Sequence, residues 1–217
     1  MAYLLKKSYK THARKASATG ELVTFEKFYE AVEESRQADL LDGRIIRDSS
    51  PTPKHARIVR WLTTILTFFT ERFDLGEVFP APMAVKLSAY QTPEPDLFFI
   101  SKKRQKLVDD RYADGAPDIC IEIISKTSRK RDRDRKFVLY TDHGLQEYWM
   151  IDSIFDTGKF YENQAGEWVA IQPDEQRRLR SKILPGFWLK PEWLKAEPLP
   201  PVLQALQEIL GKEIVLS

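Results

Sequence analysis

The sequence predicts an α/β (α+β) fold, in which a mixed β-sheet is flanked by helices. Four short apolar segments of β character fill the middle of the chain: GEVFPAPMAVKLS, PDLFFIS, PDICIEIIS and EYWMID. Stretches with apolar residues at helical spacing precede them and separate the last two. A chain of 217 residues, 42% of them hydrophobic, can bury such a core, so disorder throughout is excluded.

The N-terminal third is predicted to run helix, turn, strand and long helix. Thr24 is the expected N-cap of a first helix, FEKFYEAVEESRQADLL, which ends near Asp39. Asp42-Gly43 predicts a tight turn into a short strand. A broad apolar stripe between residues 54 and 73 then predicts a long packing helix.

The second half is predicted to contain a crossover and a hairpin. A helix in TSRKRDRDRKFVLYTDHG, with Thr127 and Ser128 as cap candidates and Gly144 as its stop, joins PDICIEIIS to EYWMID. A right-handed crossover makes these two strands parallel, whereas the earlier pair is expected to be antiparallel, so the sheet is mixed. GKFYENQAGEWVAI predicts a terminal hairpin, and LPPVLQALQEILG a closing helix.

Composition and charge narrow the class of protein. The chain has 34 basic and 32 acidic residues, so its net charge of +2 does not by itself identify a nucleic-acid binder. Its single cysteine, Cys120, excludes an intramolecular disulfide and a cysteine-based zinc cluster. No apolar stretch reaches the roughly 20 residues that cross a bilayer, and the N-terminus lacks the apolar region of a signal peptide. We therefore expect a reduced, cytoplasmic protein with no membrane partner.

Three segments are predicted along the chain. Residues 1–23 form a basic N-terminal arm, either a frayed tail or a segment that touches phosphate. Residues 24–195 form the main domain. Residues 196–217 are a proline-rich linker and a C-terminal helix that packs on the same domain.

Glu122 is the residue that points most directly to chemistry. It interrupts DICIEIIS, whose isoleucines predict a strand buried on both faces. A buried carboxylate without compensation costs several kcal/mol, so it needs a cation, a metal or a proton. Burial alone leaves two interpretations open, a functional carboxylate and a structural ion pair.

Asp96 is the expected partner of Glu122. Strand alternation places Asp118, Cys120, Glu122 and Ile124 on one face, with the isoleucines between them on the other. If the PDLFFIS strand pairs with the DICIEIIS strand, Asp96 at its start approaches Glu122. The Pro95-Asp96 dipeptide alone is weak evidence for a functional site, because such dipeptides often begin strands. Two carboxylates, water and a substrate phosphate suit Mg²⁺, with Mn²⁺ as a substitute. This arrangement favours a phosphodiesterase.

Several segments together resemble a known family. TPEPDLFFIS, GAPDICIEIIS and RDRDRKFVLYTDHGLQEYWMID, with LLDGRII and SPTPKHARIVRWL upstream, resemble the Uma-type family of restriction endonucleases, formerly a domain of unknown function, in the PD-(D/E)XK nuclease superfamily. The resemblance covers roughly residues 24 to 189. It implies a restriction-endonuclease-like core and makes residues 24–195 a nuclease domain, with Asp96 and Glu122 as the metal-binding motif acids.

The superfamily lysine is displaced in this sequence. It normally follows the glutamate by two residues, a position that holds Ile124 here. In relatives of this type the lysine lies on the following helix, and the matching residue is Lys136. Asp132, Lys136 and Tyr140 follow at four-residue intervals and share a helix face, although an ordinary surface pair of Asp132 with Lys136 gives the same pattern. Lys126 is a rival that would need a strand bulge to reach the metal.

Two further residues are expected to support the site. Relatives usually carry a glutamate where this chain has Asp39, at the end of the first helix, and this shorter acid could bind metal through water. His55 lies in the SPTPKHARIVRWL segment at the start of the long helix, where it contacts phosphate, supports the metal ligands or has only a structural role.

A basic run adjoins the predicted site. Clustered cations of this kind bind a phosphate backbone without reading sequence, whereas Asp132 and Asp134 are also consistent with an ordinary solvated helix. The run comprises Arg129, Lys130, Arg131, Arg133 and Arg135, followed by Lys136.

These features predict a magnesium-dependent endonuclease that hydrolyses phosphodiester bonds in DNA, and the superfamily resemblance implies a homodimer. The alternative is a non-catalytic nucleic-acid-binding or interaction module that keeps the fold, which Asp39 and Ile124 favour. A different hydrolase or a purely structural protein fits the apolar pattern but leaves Glu122 unexplained.

Overall fold

A six-stranded mixed sheet is the centre of the fold. The structure is a computed structural model, and it describes residues 21–32, 37–47, 50–124, 131–153 and 157–211, with only the backbone for residues 131–133. Its strands, together with those of three smaller sheets, are in chain order β1 (Ala38–Leu41), β2 (Arg44–Arg47), β3 (Gly76–Pro80), β4 (Ala84–Lys86), β5 (Gln91–Thr92), β6 (Leu97–Ser101), β7 (Tyr112–Asp114), β8 (Ile119–Ile124), β9 (Glu147–Asp152), β10 (Thr157–Gln164), β11 (Glu167–Ala170), β12 (Leu179–Arg180) and β13 (Trp188–Leu189).

The helices lie between and after these strands. They are α1 (Phe25–Ala31), α2 (Pro53–Arg72), α3 (Phe137–Asp142) and α4 (Val202–Leu210), with two 3-10 helices at Lys102–Leu107 and Pro191–Lys195 and a π-helical segment at Arg131–Lys136 that leads into α3. Among the described residues no helix is both long and apolar enough to cross a membrane.

The main sheet has the strand order β11-β10-β9-β8-β6-β3. β8 and β9 are parallel, and β6 is antiparallel to both β3 and β8. The crossover prediction and the mixed sheet are therefore confirmed. β10 and β11 form the predicted antiparallel hairpin, and the smaller sheets have the orders β2-β1-β5, β12-β13 and β4-β7.

The two faces of the main sheet carry different layers. The isoleucines of β8 at 119, 121 and 123 join the larger core, in which the apolar face of α2 and Ala205, Leu206 and Ile209 of α4 are also buried. Cys120 and Ile124 face the second core with Tyr140 of α3. This is the alternation that the sequence predicts for the strand. Glu122 therefore lies on the α3 side of the sheet.

The start of α2 is fixed by local chemistry. Thr52 is its N-cap and accepts a hydrogen bond from the backbone N–H of His55 at 3.2 Å, while Pro53 occupies the first turn. The helix has 20 residues and matches the predicted packing helix. His55 is thereby held in the first turn.

The end of the first helix, and with it the placing of Asp39, was predicted wrongly. α1 ends at Ala31, and Asp39 lies in β1, a fully buried strand that pairs with β2. Asp42 and Gly43 join these strands with φ of 51° and 66°, the two positive values of a tight hairpin turn, so the backbone of residues 38–41 forms sheet rather than helical hydrogen bonds.

Other sequence predictions fall at or beyond the edge of the described chain. Thr24 is at the N-cap of α1, but its side chain makes no capping hydrogen bond. Thr127, Ser128, Lys126 and most of the basic N-terminal arm lie outside the described residues.

Another buried acid, Glu147, lies on the α2 side of β9. Its carboxylate accepts hydrogen bonds from the Trp149 indole, the Ser181 hydroxyl at 3.1 Å, and the backbone N–H groups of Lys182 and Ile183 at 2.8 and 3.1 Å. These donors tie the segment after β12 to the main sheet. Burial raises the pKa of Glu147.

Candidate active site

Asp96, the residue before β6, and Glu122 of β8 lie at neighbouring positions where these two strands pair. β6 and β8 pair with Leu97 opposite Ile121, so one further step of the antiparallel register brings Asp96 opposite Glu122. Directly opposed residues of an antiparallel pair project from the same face. The Asp96 carboxylate also accepts a hydrogen bond from the Ile123 N–H at 2.7 Å, which fixes it against β8. Both acids are buried, with 6% and 2% of their surface exposed.

Lys136 contacts two of the predicted acids. Its ammonium lies 2.7 Å from Glu122 Oε1 and 3.2 Å from Asp39 Oδ1, and the lysine is fully buried. Glu122 Oε1 also accepts a hydrogen bond from the Tyr140 hydroxyl at 3.1 Å. One ammonium thus links an acid of the main sheet to an acid of the small β2-β1-β5 sheet.

The helix after β8 positions Lys136 and Tyr140 together. The π-helical segment ends at Lys136, and α3 continues from Phe137. Residues four apart on a helix lie on one face, so both side chains reach the same carboxylate oxygen. The predicted shared face holds for these two residues. The side chain of Asp132 lies outside the described atoms.

His55 brings the long helix into contact with the other acid. Its Nε2 lies 3.1 Å from Asp96 Oδ1, and the two side chains are 13% and 8% exposed. Gln37 approaches the same oxygen at 3.5 Å and donates more closely, at 2.8 Å, to the Glu94 carbonyl. The Asp96 carboxylate is therefore held from α2, β8 and the chain before β1.

Sequence reasoning missed a second network, formed by Gln37 and Glu94. The Glu94 carboxylate accepts from the Ala38 N–H at 2.8 Å, and the Glu94 N–H donates to Asp39 Oδ1 at 2.9 Å. These contacts clamp β1 against the segment before β6 and orient Asp39. The available signal was the acid between two prolines in TPEPD, although no local pattern indicates its partner.

Burial controls the protonation of the neutral groups beside Glu122. Burial raises the pKa of the Tyr140 hydroxyl well above its ordinary value, and the neighbouring Cys120 and Glu122 act in the same direction. Burial likewise raises the pKa of the Cys120 thiol, with Glu122 adding to the shift. Tyr140 is therefore a hydrogen-bond donor, and Cys120 is a neutral thiol.

The predicted basic run is described only at its end. Arg129 and Lys130 lie outside the described residues, and for Arg131 and Arg133 only the backbone is described. Arg135 is partly exposed, pairs with Asp42 of the β1-β2 turn, and donates to the Leu41 carbonyl at 3.3 Å. This arginine therefore borders the small sheet that supplies Asp39.

The candidate site as a whole combines three carboxylates, one ammonium and one imidazole: Asp39, Asp96, Glu122, Lys136 and His55. Among the described residues no group of three or more histidines, cysteines or acids has the arrangement of a metal site. Two opposed acids could hold a divalent cation, and a nearby ammonium could stabilise negative charge on a phosphate, which is the arrangement that phosphodiester hydrolysis requires.

Comparison with solved structures finds a chain of similar fold. A crystal structure described as that of a "putative nuclease belonging to DUF820 from Anabaena variabilis ATCC 29413" matches with a TM-score of 0.66 and 20% identity. The match covers 79% of this chain and 97% of that chain. At this identity the likeness establishes the fold.

The family follows from the sequence match. Residues 23–192 match the model of the Uma2 family, described as "Putative restriction endonuclease", and the chain belongs to this family. Comparison with curated protein sequences gives no match. The predicted family resemblance and fold class are confirmed, and membership supports a nuclease that acts on nucleic acid.

Proposed function

We propose that this protein is a magnesium-dependent endonuclease that hydrolyses phosphodiester bonds in DNA. One observation carries the proposal. Asp96, directly before β6, lies across from Glu122 on β8, and the ammonium of Lys136 lies 2.7 Å from Glu122. In this proposal the two acids hold the metal and Lys136 assists the chemistry.

The donor set suits magnesium. Mg²⁺ is commonly held by one or two carboxylates, with waters and substrate phosphate completing its shell, so a cluster of three protein ligands is not required. When bound, the metal lowers the pKa of an attacking water and neutralises charge that grows on the phosphate. Mn²⁺ is expected to substitute, since its oxygen ligands are similar.

Charge balance favours this function over a purely structural ion pair. Among the described residues, three buried carboxylates meet one ammonium, Lys136, and one imidazole, His55. A purely structural ion pair would not be stabilised by additional buried acids, because burying each carboxylate costs desolvation free energy. A divalent cation offsets that cost.

Each supporting residue has a defined task in the proposal. The ammonium of Lys136 faces the reacting phosphate and stabilises its developing negative charge. Asp39 and Tyr140 hold that ammonium and the Glu122 carboxylate in place. His55 and the Ile123 N–H fix the direction of Asp96. Well-oriented groups of this kind lower the barrier because little reorganisation accompanies the reaction.

The test is cleavage of supercoiled plasmid by purified protein in Mg²⁺, in Mn²⁺ and in EDTA, with labelled RNA in parallel. We expect metal-dependent nicking and linearisation of DNA, and loss of at least about 100-fold of the rate in Asp96→Asn and in Glu122→Gln. Thermal unfolding with Mn²⁺ gives a second readout. Added Mn²⁺ should raise the Tm of the wild type and not that of Asp96→Asn.

The matched control is Asp118→Asn. Asp118 is a buried acid at the start of β8, but it pairs with Arg104 at 3.0 Å rather than with Lys136. This variant should keep its activity when folded. Cutting that persists in Asp96→Asn contradicts the proposal. DNA binding without cutting in any metal would instead identify a non-catalytic nucleic-acid-binding module.

We also propose that the protein acts as a homodimer in the cytoplasm. The support is the frequent dimerisation of this nuclease superfamily and the cysteine usage of the chain. Sedimentation analysis of the purified protein tests the dimer, and a monomer at micromolar concentration contradicts it.

A further inference from the structure

A groove lies between α2 and the proline-rich segment that precedes α4. Its volume is about 730 Å³, within the roughly 300–1,000 Å³ of known ligand sites. One wall is a stripe of α2 that carries Lys54, Arg57 and Arg60, and the other runs from Leu194 to Val202. All of its lining belongs to described residues.

The apolar wall of the groove is fixed to the helix. The Trp61 indole N–H donates to the Pro200 carbonyl at 2.7 Å, and its ring packs edge-on against Trp193. The Ala205 N–H donates to the Pro201 carbonyl at 3.0 Å, which joins the segment to α4. Because α4 packs on α2 in the larger core, the groove is preformed.

The other wall is cationic. Lys54, Arg57 and Arg60 recur every three residues and therefore follow one side of the helix over about 9 Å. Glu197 is the acid in the groove lining and lies 3.5 Å from Arg57, with 67% and 57% of these side chains exposed. An exposed pair of this kind is worth about 1 kcal/mol or less, so a polyanion can replace the carboxylate.

The groove meets the candidate active site at the first turn of α2. Lys54 lines the groove, and the next residue, His55, contacts Asp96 at 3.1 Å. A chain of phosphates with one phosphodiester at Asp96 and Glu122 can continue past this turn towards Arg57 and Arg60. Cations along such a path attract a phosphate backbone without reading its sequence.

We propose that this groove binds one strand of a nucleic-acid duplex, with Lys54, Arg57 and Arg60 on its phosphates and the proline wall beside its sugars. This inference rests on the proposed nuclease function. It assigns the substrate path to residues other than those of the predicted basic run.

The test measures binding of a fluorescent DNA duplex by anisotropy in EDTA, over a series of salt concentrations, so that cleavage plays no part. The groove variant is Arg57→Gln with Arg60→Gln. The matched control, Lys103→Gln with Lys106→Gln, removes two exposed cations from the 3-10 helix after β6, beyond the end of that strand opposite to Asp96.

We expect the groove variant to bind DNA about tenfold more weakly near 0.1 M salt, with a salt slope lower by about 1.8, since each lost phosphate contact removes about 0.9. The control should bind like the wild type. Glu197→Gln should strengthen binding by about twofold to fivefold, because it removes the carboxylate that competes for Arg57. A misfolded variant could not produce this gain.

Two outcomes overturn the groove proposal alone. One is wild-type affinity and salt slope in the groove variant while the wild type binds and cuts DNA. The other is loss of binding to a fluorescent poly-glutamate peptide in the groove variant with DNA binding unchanged, which would make the groove an acidic-peptide site. If the wild type neither binds nor cuts nucleic acid, the proposed function fails as well.

Discussion

The Lys136 ammonium lies 3.2 Å from Asp39 Oδ1, so a residue at the start of α3 reaches an acid in the separate small sheet. The same ammonium is 2.7 Å from Glu122 Oε1 on β8. Because all three side chains are buried, each depends on the others for compensation of its charge. The contact therefore couples the packing of β1 to the geometry of the candidate site.

Replacing Lys136 by Met tests this coupling. The change leaves Glu122 and Asp39 buried without their shared ammonium, and we expect a loss of about 3–5 kcal/mol in the free energy of unfolding. Denaturant titration followed by circular dichroism measures it. Arg135→Met is the matched control, because Arg135 is exposed and should cost less than about 1 kcal/mol. Equal stability of the two variants would show that Lys136 compensates neither acid.

Tyr140→Phe removes one hydrogen bond to Glu122 and leaves the ring in place. We expect a loss of about 0.5–3 kcal/mol in the free energy of unfolding, because the bond is buried and its acceptor is an acid. Burial raises the pKa of Tyr140 well above its ordinary value, so this hydroxyl stays protonated through the working pH range. The alkaline limb of the cleavage rate should be the same in both proteins. A limb that disappears in Tyr140→Phe would show that the tyrosine titrates.

Glu147→Gln tests the buried acid on the other side of the sheet. Every group around the carboxylate is a donor, so the new amide N–H must face another donor, and we expect a cost of about 1–3 kcal/mol in stability. Glu167→Gln on β11 is the exposed control and should change stability by less than about 0.5 kcal/mol.

The pH dependence of the Glu147 variant has a definite sign. Burial raises the pKa of Glu147 above its ordinary value of 4.5. A raised pKa in the folded state gives stability that is complete below the unfolded-state pKa and is lost as pH rises through the folded-state pKa. The stability advantage of wild type over Glu147→Gln should therefore be larger near about pH 4 than near about pH 7. An advantage that grows with pH would mean that the pKa is lowered.

Cys120 should resist alkylation in the folded protein. Its side chain is fully buried on β8, and burial raises the pKa of its thiol, so both access and the thiolate fraction are low. Mass spectrometry after iodoacetamide treatment should show modification only in denaturant. Rapid modification in native buffer would show that the α3 side of β8 opens readily.

The main sheet and its long helix could be predicted because their patterns are local. The two sets of residues that alternate along β8, and the apolar stripe of α2, are side chains that the fold buries at a regular spacing. This spacing is visible in the sequence. The shared face of Lys136 and Tyr140 could be predicted for the same reason, since a four-residue interval fixes a helix face. That Lys136 belongs to the site followed from the family resemblance instead.

Asp39 and the contacts around Asp96 could not be predicted in the same way. The stretch before Asp42 continues an amphipathic helical pattern, and only pairing of β1 with β2 and β5 makes its end a strand. Glu94 contacts residues more than 50 positions away in sequence, and Gln37 does the same. No periodicity within one segment carries that information.

The alternation along β8 limits how this strand can change. Its odd-numbered isoleucines face α2, and its even-numbered residues face α3. Insertion of a single residue after Cys120 would therefore turn the Glu122 side chain into the hydrophobic core on the α2 side and place an isoleucine next to Lys136. Insertion of two residues would keep the acid on the α3 side and shift it by two residues along the strand. Length changes in β8 are therefore tolerable only in even numbers, and engineered variants of this protein should respect that rule.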